Sequence, residues 1–162
     1  MGASMGAAIT SEVLGEHTVA VAESCTGGLV SQALAAVEGS GDWFLGGIVA
    51  YDRDVKASLL GVDPGDVVNE RAASAMAAGV AKLMGATATI GLTGAAGPDP
   101  LDGAEPGTVV VATYVDGAVD VHTHHLKGDP TDVCTQARDL AVVALNTALR
   151  APGRRRDQPA DG

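Results

Sequence analysis

Three apolar runs, "TVAVAE" (18–23), "TATIGLTG" (87–94) and "TVVVATYV" (108–115), are rich in β-branched residues and carry no charge before their ends. Runs of this kind read as buried strands. A strand without a polar face must be covered on both sides, which calls for helices above and below one sheet. The covering segments are present. "TGGLVSQALAAV" (26–37), with Ser24 or Thr26 able to cap it, repeats apolar residues at helical spacing. "NERAASAMAAGVAKLMGA" (69–86) opens on an Asn cap and stops at a Gly, and "DPTDVCTQARDLAVVALNTALR" (129–150) opens on Asp-Pro. Between them, "FLGGIVAY" (44–51) reads as a strand bent at its Gly pair, and "DRDVKASLLGV" (52–62) as a short helix. "ITSEVLGEH" (9–17) reads as a loosely defined amphipathic helix. "AVDVHTHHL" (118–126) follows Asp116-Gly117, a two-residue hairpin signal.

The order predicts an α/β protein with a mixed, mostly parallel sheet, its one antiparallel pair made by the hairpin. In such sheets ligands collect at the carboxyl ends of the strands. Three small-residue loops fall there: "ESCTGG", "YDRDVK" and "TGAAGP".

The 162 residues suit one domain, placed over 1–150, with "APGRRRDQPADG" (151–162) as a polar, disordered tail. Only four residues are aromatic (Trp43, Phe44, Tyr51 and Tyr114), so the core has to be built from Ala, Val, Leu and Ile. Twenty acidic against ten basic residues give a formal charge of −10, which opposes direct nucleic-acid binding. It leaves room for a small anion held by backbone amides. Two cysteines, no basic leader before an apolar stretch and no run of membrane-spanning length predict a cytoplasmic protein with no membrane partner. An open sheet edge predicts a homo-oligomer.

In "ESCTGG", Ser24, Cys25 and Thr26 are all chemically able to act as a nucleophile at a strand-to-helix turn. Cys25 is intrinsically the strongest, and an ordinary helix cap would use the same residues. The lysines are Lys56, Lys82 and Lys127. Lys56, on the helix after the second strand, is the one placed to lose its proton by desolvation and serve a hydroxyl as base. A solvated surface lysine is the plainer alternative. "TGAAGPDP" offers a backbone cradle or a simple turn, and it has neither the Walker nor the GxGxxG spacing. In "VHTHHL", His122 and His124 share a strand face with Asp120, but a polar edge strand explains them better than a metal.

Together "AESCTGGLVSQAL", "GSGDWFLGGIVAYDRDVKASLLGV", "MAAGVAKLMGA", "GLTGAAGP" and "PGTVVVAT" resemble the CinA C-terminal domain family, in family order and spacing. The resemblance implies a three-layer α/β/α sandwich. It also implies a nicotinamide mononucleotide deamidase, an amidohydrolase releasing ammonia without metal or cofactor. Carried over by position, it makes Ser24 the nucleophile, Lys56 its base and Tyr51 an auxiliary hydroxyl. Thr26, Gly27 and Gly28 would supply oxyanion and positioning amides, and Thr93, Gly94 and Gly97 would line the nucleotide side. Family members often carry a lysine before "VGTV" and arginines at the start of the last helix. Here Glu105 stands in the first stretch, and Pro130 and Cys134 near the second, with Arg138 a turn later. These departures imply weakened phosphate binding, another amide substrate, or a ligand-binding or regulatory module that has lost activity. Longer members also carry a pyrophosphatase-like domain that is not expected in these 162 residues.

Overall fold

The computed structural model describes residues 9–151, and the expected disorder of 152–162 lies outside the described residues. Among the described residues five strands form one sheet: β1 (Val19–Glu23), β2 (Phe44–Val49), β3 (Ala88–Gly94), β4 (Thr108–Val115) and β5 (Ala118–His125). Their spatial order is β2-β1-β3-β4-β5. β1 pairs in parallel with β2 and β3, while β4 runs antiparallel to both β3 and β5. The sheet is therefore mixed, with four strands sharing one direction. A second antiparallel pair, β3 with β4, joins the expected hairpin because residues 95–107 turn the chain straight back instead of crossing over. Asp116 and Gly117 both take positive φ (48° and 88°), as a tight hairpin turn requires. The Gly pair of β2 marks a slip in register: Val19 faces Phe44 but Ala20 faces Gly46, whose φ is 133°.

The helices are α1 (Ser11–Leu14), α2 (Leu29–Ala35), α3 (Arg53–Leu60), α4 (Glu70–Met84) and α5 (Pro130–Arg150). α1 is shorter than its pattern suggested because Gly15 closes it. Alternate strand residues face opposite layers. Val19, Val21, Ile90, Leu92, Val109 and Val111 pack with Val30 and Leu34 of α2 and with Val133, Ala141 and Leu145 of α5. Ala20 and Ala22 pack with Leu60, Met76 and Val80 on the other face, next to Val110 and Ala112 against Ala73 and Ala77. Small residues on that second face let α4 sit close. A Cβ on Gly91 would collide with the α4 backbone at Ala73 and Ala77. α2 lies on one face and α3 on the other, so the carboxyl ends of β1 and β2 open a crevice between two diverging connections, where ligands gather in such sheets.

Candidate active site

The crevice is about 510 Å³ in volume. Ser24 and Cys25 enter it from the turn after β1. Tyr51, Asp52, Arg53 and Lys56 enter from the turn into α3, and residues 93–101 close the far side with Val67. Of the residues expected at the site, Ser24, Tyr51, Lys56, Thr93, Gly94 and Gly97 do border this cleft. Thr26, Gly27 and Gly28 do not.

The reason lies in Glu23, the last residue of β1, which is fully buried. α2 starts at Gly28 in a left-handed conformation, and its cap residue contributes no side chain. The strand supplies the cap instead. Glu23 Oε1 accepts from Thr26 Oγ1 (2.7 Å), Gly28 N–H (3.2 Å) and Val30 N–H (2.9 Å). Its Oε2 accepts from Ser31 N–H (2.9 Å) and Ser31 Oγ (2.6 Å). The Gly27 N–H donates to the Ser24 carbonyl at 3.0 Å. The amides of Gly27 and Gly28 and the hydroxyl of Thr26 are thus spent on the turn, which corrects the oxyanion role expected of them. What they do is fix the backbone at Ser24.

Lys56 is only 2% exposed although it stands in the middle of a short helix. Its Nζ donates to the Tyr51 carbonyl at 2.8 Å, and among the described residues it forms no ion pair. Burial pulls its pKa below the usual lysine value. Asp52, Cys25 and Asp102 counter this, and Arg53 adds to it. A buried amine whose charged form is disfavoured gives up its proton more readily, and in the neutral form it can accept one. Among the described residues no hydrogen bond links Ser24 to Lys56. The side chain of Tyr51 is open at the rim, the residue being 70% exposed. Its carbonyl, not its hydroxyl, is what orients the lysine.

Cys25 is a poor rival to Ser24. Burial, then the neighbouring Cys134, push its thiol up to about 12, so it stays protonated near neutral pH. The Cys134 thiol donates to the Cys25 carbonyl at 3.1 Å, tying the turn to α5.

The far wall is stitched at Val67. Its carbonyl accepts from Thr93 Oγ1 (2.7 Å) and its N–H donates to Asp102 Oδ2 (2.9 Å). The hydroxyl hydrogen of Thr93 is therefore committed to the wall. Asp102 also accepts from Arg53 Nη2 at 2.8 Å. The Val67 N–H first, then Arg53, hold the Asp102 carboxyl below its usual range against burial. Gly94 has to lack a side chain, since a Cβ would stand 2.9 Å from the Thr108 carbonyl and 3.0 Å from Cys25 Sγ. Glu23, Arg53 and Asp102 were not singled out from the sequence. For Glu23 there was a signal, an acid closing a buried strand just before a Gly-rich helix start.

Away from the cleft, Asp120, His122 and His124 border a hollow of about 210 Å³ between β5 and α5, alongside Val111, Leu140 and Val143. Burial first, then His122 and His125, lower the His124 pKa. Among the described residues no group of three or more His, Cys, Asp or Glu is arranged to hold a metal ion. A larger hollow of about 700 Å³ lies beside α1 and Trp43. Thr10, Ser11, His17 and Thr18 are among its lining residues, and the His17 ring is hydrogen-bonded to the Thr87 hydroxyl at 2.9 Å. Among the described residues no helix is long and apolar enough to cross a membrane.

A family model described as the CinA C-terminal domain matches residues 4–149. The chain is 42% identical over 138 residues to a CinA-like protein of Frankia casuarinae, covering 82% of this chain and 31% of that one. It is 36% identical over 148 residues to a CinA-like protein of Mycobacterium marinum, covering 87% and 35%. It thus spans about a third of the length of these curated relatives. The crystal structure of a competence-damaged protein (CinA) superfamily protein from Enterobacter cloacae superposes with a TM-score of 0.85 at 31% identity, covering 90% of each chain.

Proposed function

The chain belongs to the CinA C-terminal domain family, and from that premise we propose that it is an amidohydrolase acting on nicotinamide mononucleotide through Ser24 and Lys56. The observation that carries this is Lys56, a lysine buried without an ion pair at the cleft on which Ser24 opens. Burying an ammonium that way costs stability, and catalysis is what repays it. Ser24 Oγ attacks the carboxamide carbon while neutral Lys56 takes the hydroxyl proton. Lys56 then gives a proton to the departing ammonia, and water, deprotonated by the same amine, hydrolyses the acyl-enzyme.

A second reading, a ligand-binding or regulatory module, is favoured by one feature: the Lys56 amine turns to the Tyr51 carbonyl and not to Ser24. Ammonia release from nicotinamide mononucleotide, with nicotinamide and nicotinamide riboside beside it, separates the two. Ser24→Ala abolishes release with an unchanged melting temperature, and Cys25→Ser retains it. Saturable binding without ammonia release would favour the module.

A further inference from the structure

The cleft that would take this nucleotide is poor in positive charge. Among its described lining residues the cations are Arg53 and Lys56, set against Asp52 and Asp99. Lys127 and Arg138 do not border it, and Arg138 is paired with Asp139 at 2.9 Å. Glu105 is an acid and Cys134 a protonated thiol, its pKa raised by burial. Lys56 is buried, with its amine donating to the Tyr51 carbonyl. The start of α3 has little to offer through its backbone, since the Asp52 carboxylate already takes the N–H groups of Asp54 and Val55 at 2.9 and 3.2 Å.

Arg53 differs on each count. Its side chain is 44% exposed, and among the described residues it makes one hydrogen bond, from Nη2 to Asp102 Oδ1. A guanidinium has five N–H donors in a fixed fork, so most of its capacity is unclaimed. Asp102 is itself fixed by the Val67 N–H, which makes it a firm anchor. The cation is thereby held in orientation before any ligand arrives, which lowers the ordering cost of binding. Planar, bidentate donation suits a phosphate monoester as it suits a carboxylate.

We propose that Arg53, anchored by Asp102, is the phosphate-holding residue of this cleft, and that the ligand class it selects is a nucleoside monophosphate over the free nucleoside. The inference rests on the proposed nucleotide reading of this cleft. On this proposal Arg53 takes the place of the bases missing at Glu105 and Cys134.

The test compares wild type, Arg53→Gln and Arg53→Lys on nicotinamide mononucleotide and nicotinamide riboside. A lost charge-assisted bond to phosphate corresponds to about tenfold or more in affinity. Arg53→Gln therefore raises KM for the mononucleotide by about tenfold more than KM for the riboside, while any change in kcat from removing a charge near Lys56 is shared by the two substrates. Arg53→Lys, which keeps charge without the fork, recovers part of the loss. Inorganic phosphate inhibits wild type competitively and Arg53→Gln about tenfold more weakly. Equal changes on the two substrates, or an unchanged mononucleotide KM, overturn the assignment. If no ammonia is released from either compound, the amidohydrolase reading fails, and calorimetric titration of the same two compounds reads the Arg53 claim on its own. A mononucleotide preference that Arg53→Gln erases supports it. No preference in wild type overturns it.

Discussion

Replacing Glu23 by Gln isolates the device that sets the position of the candidate nucleophile. The carboxylate accepts five hydrogen bonds, three at Oε1 and two at Oε2, in a site with no exposure. A glutamine puts an NH₂ where one oxygen was. The milder orientation keeps the carbonyl toward Thr26, Gly28 and Val30 and turns the NH₂ toward Ser31. The Ser31 hydroxyl can rotate to accept, but the Ser31 N–H is left facing a donor. One orphaned buried amide costs about 1–3 kcal/mol. Removing negative charge from the N-terminus of α2 adds about 0.3–1 kcal/mol. The sum, about 1–4 kcal/mol, corresponds to a melting temperature about 3–15 °C lower at roughly 2–4 °C per kcal/mol for a domain of this size. Ser31→Ala, which removes one donor and leaves the carboxylate intact, should cost less than about 1.5 kcal/mol. Urea and thermal melts of the variants measure both effects. A Glu23→Gln protein within 0.5 kcal/mol of wild type would refute the capping argument, since no placement of the amide satisfies all five donors.

Lys56 has a depressed pKa when folded, so between that value and its unfolded value of 10.5 the unfolded chain holds the extra proton. Its contribution to stability therefore rises with pH across that window and is lost as pH falls through it. Lys56→Met should flatten this part of the stability–pH curve, and an unchanged slope would count against a desolvated amine. Ammonia release should rise with pH through the lowered pKa, and Lys56→Arg, unable to deprotonate, should be as inactive as Lys56→Ala; activity near wild type in the arginine variant would exclude Lys56 as base. Gly91→Ala should destabilise by about 1–3 kcal/mol or more, because its Cβ meets α4 backbone at Ala73 and Ala77 and not a side chain that can move. A denaturation midpoint equal to wild type would show that α4 can retreat from the sheet.

What could be read from the sequence was local. The Asn69 and Asp129 caps each accept an N–H from within three residues, and the hairpin needs only Asp116 and Gly117. β1 was legible because a strand covered on both faces has no polar residue to blur its pattern before Glu23. The start of α2 was misread for the opposite reason. Ser24 and Thr26 look like caps, yet the cap is a carboxylate reaching back from the strand, and Gly28 begins the helix in a conformation that only a glycine takes without strain. The far wall of the cleft was illegible, because Arg53 meets Asp102 across 49 residues and Asp102 meets Val67 across 35. No spacing rule links positions so far apart; pairing β4 back against β3 is what brings them together. The cleft thus combines a candidate nucleophile turn written in six adjacent residues with a wall that exists only once the sheet has formed. Substitutions in the turn should act mainly on kcat, and substitutions at Arg53 mainly on ligand affinity. That division follows from what each residue touches: the turn carries Ser24, while the half-exposed Arg53 guanidinium reaches across to Asp102.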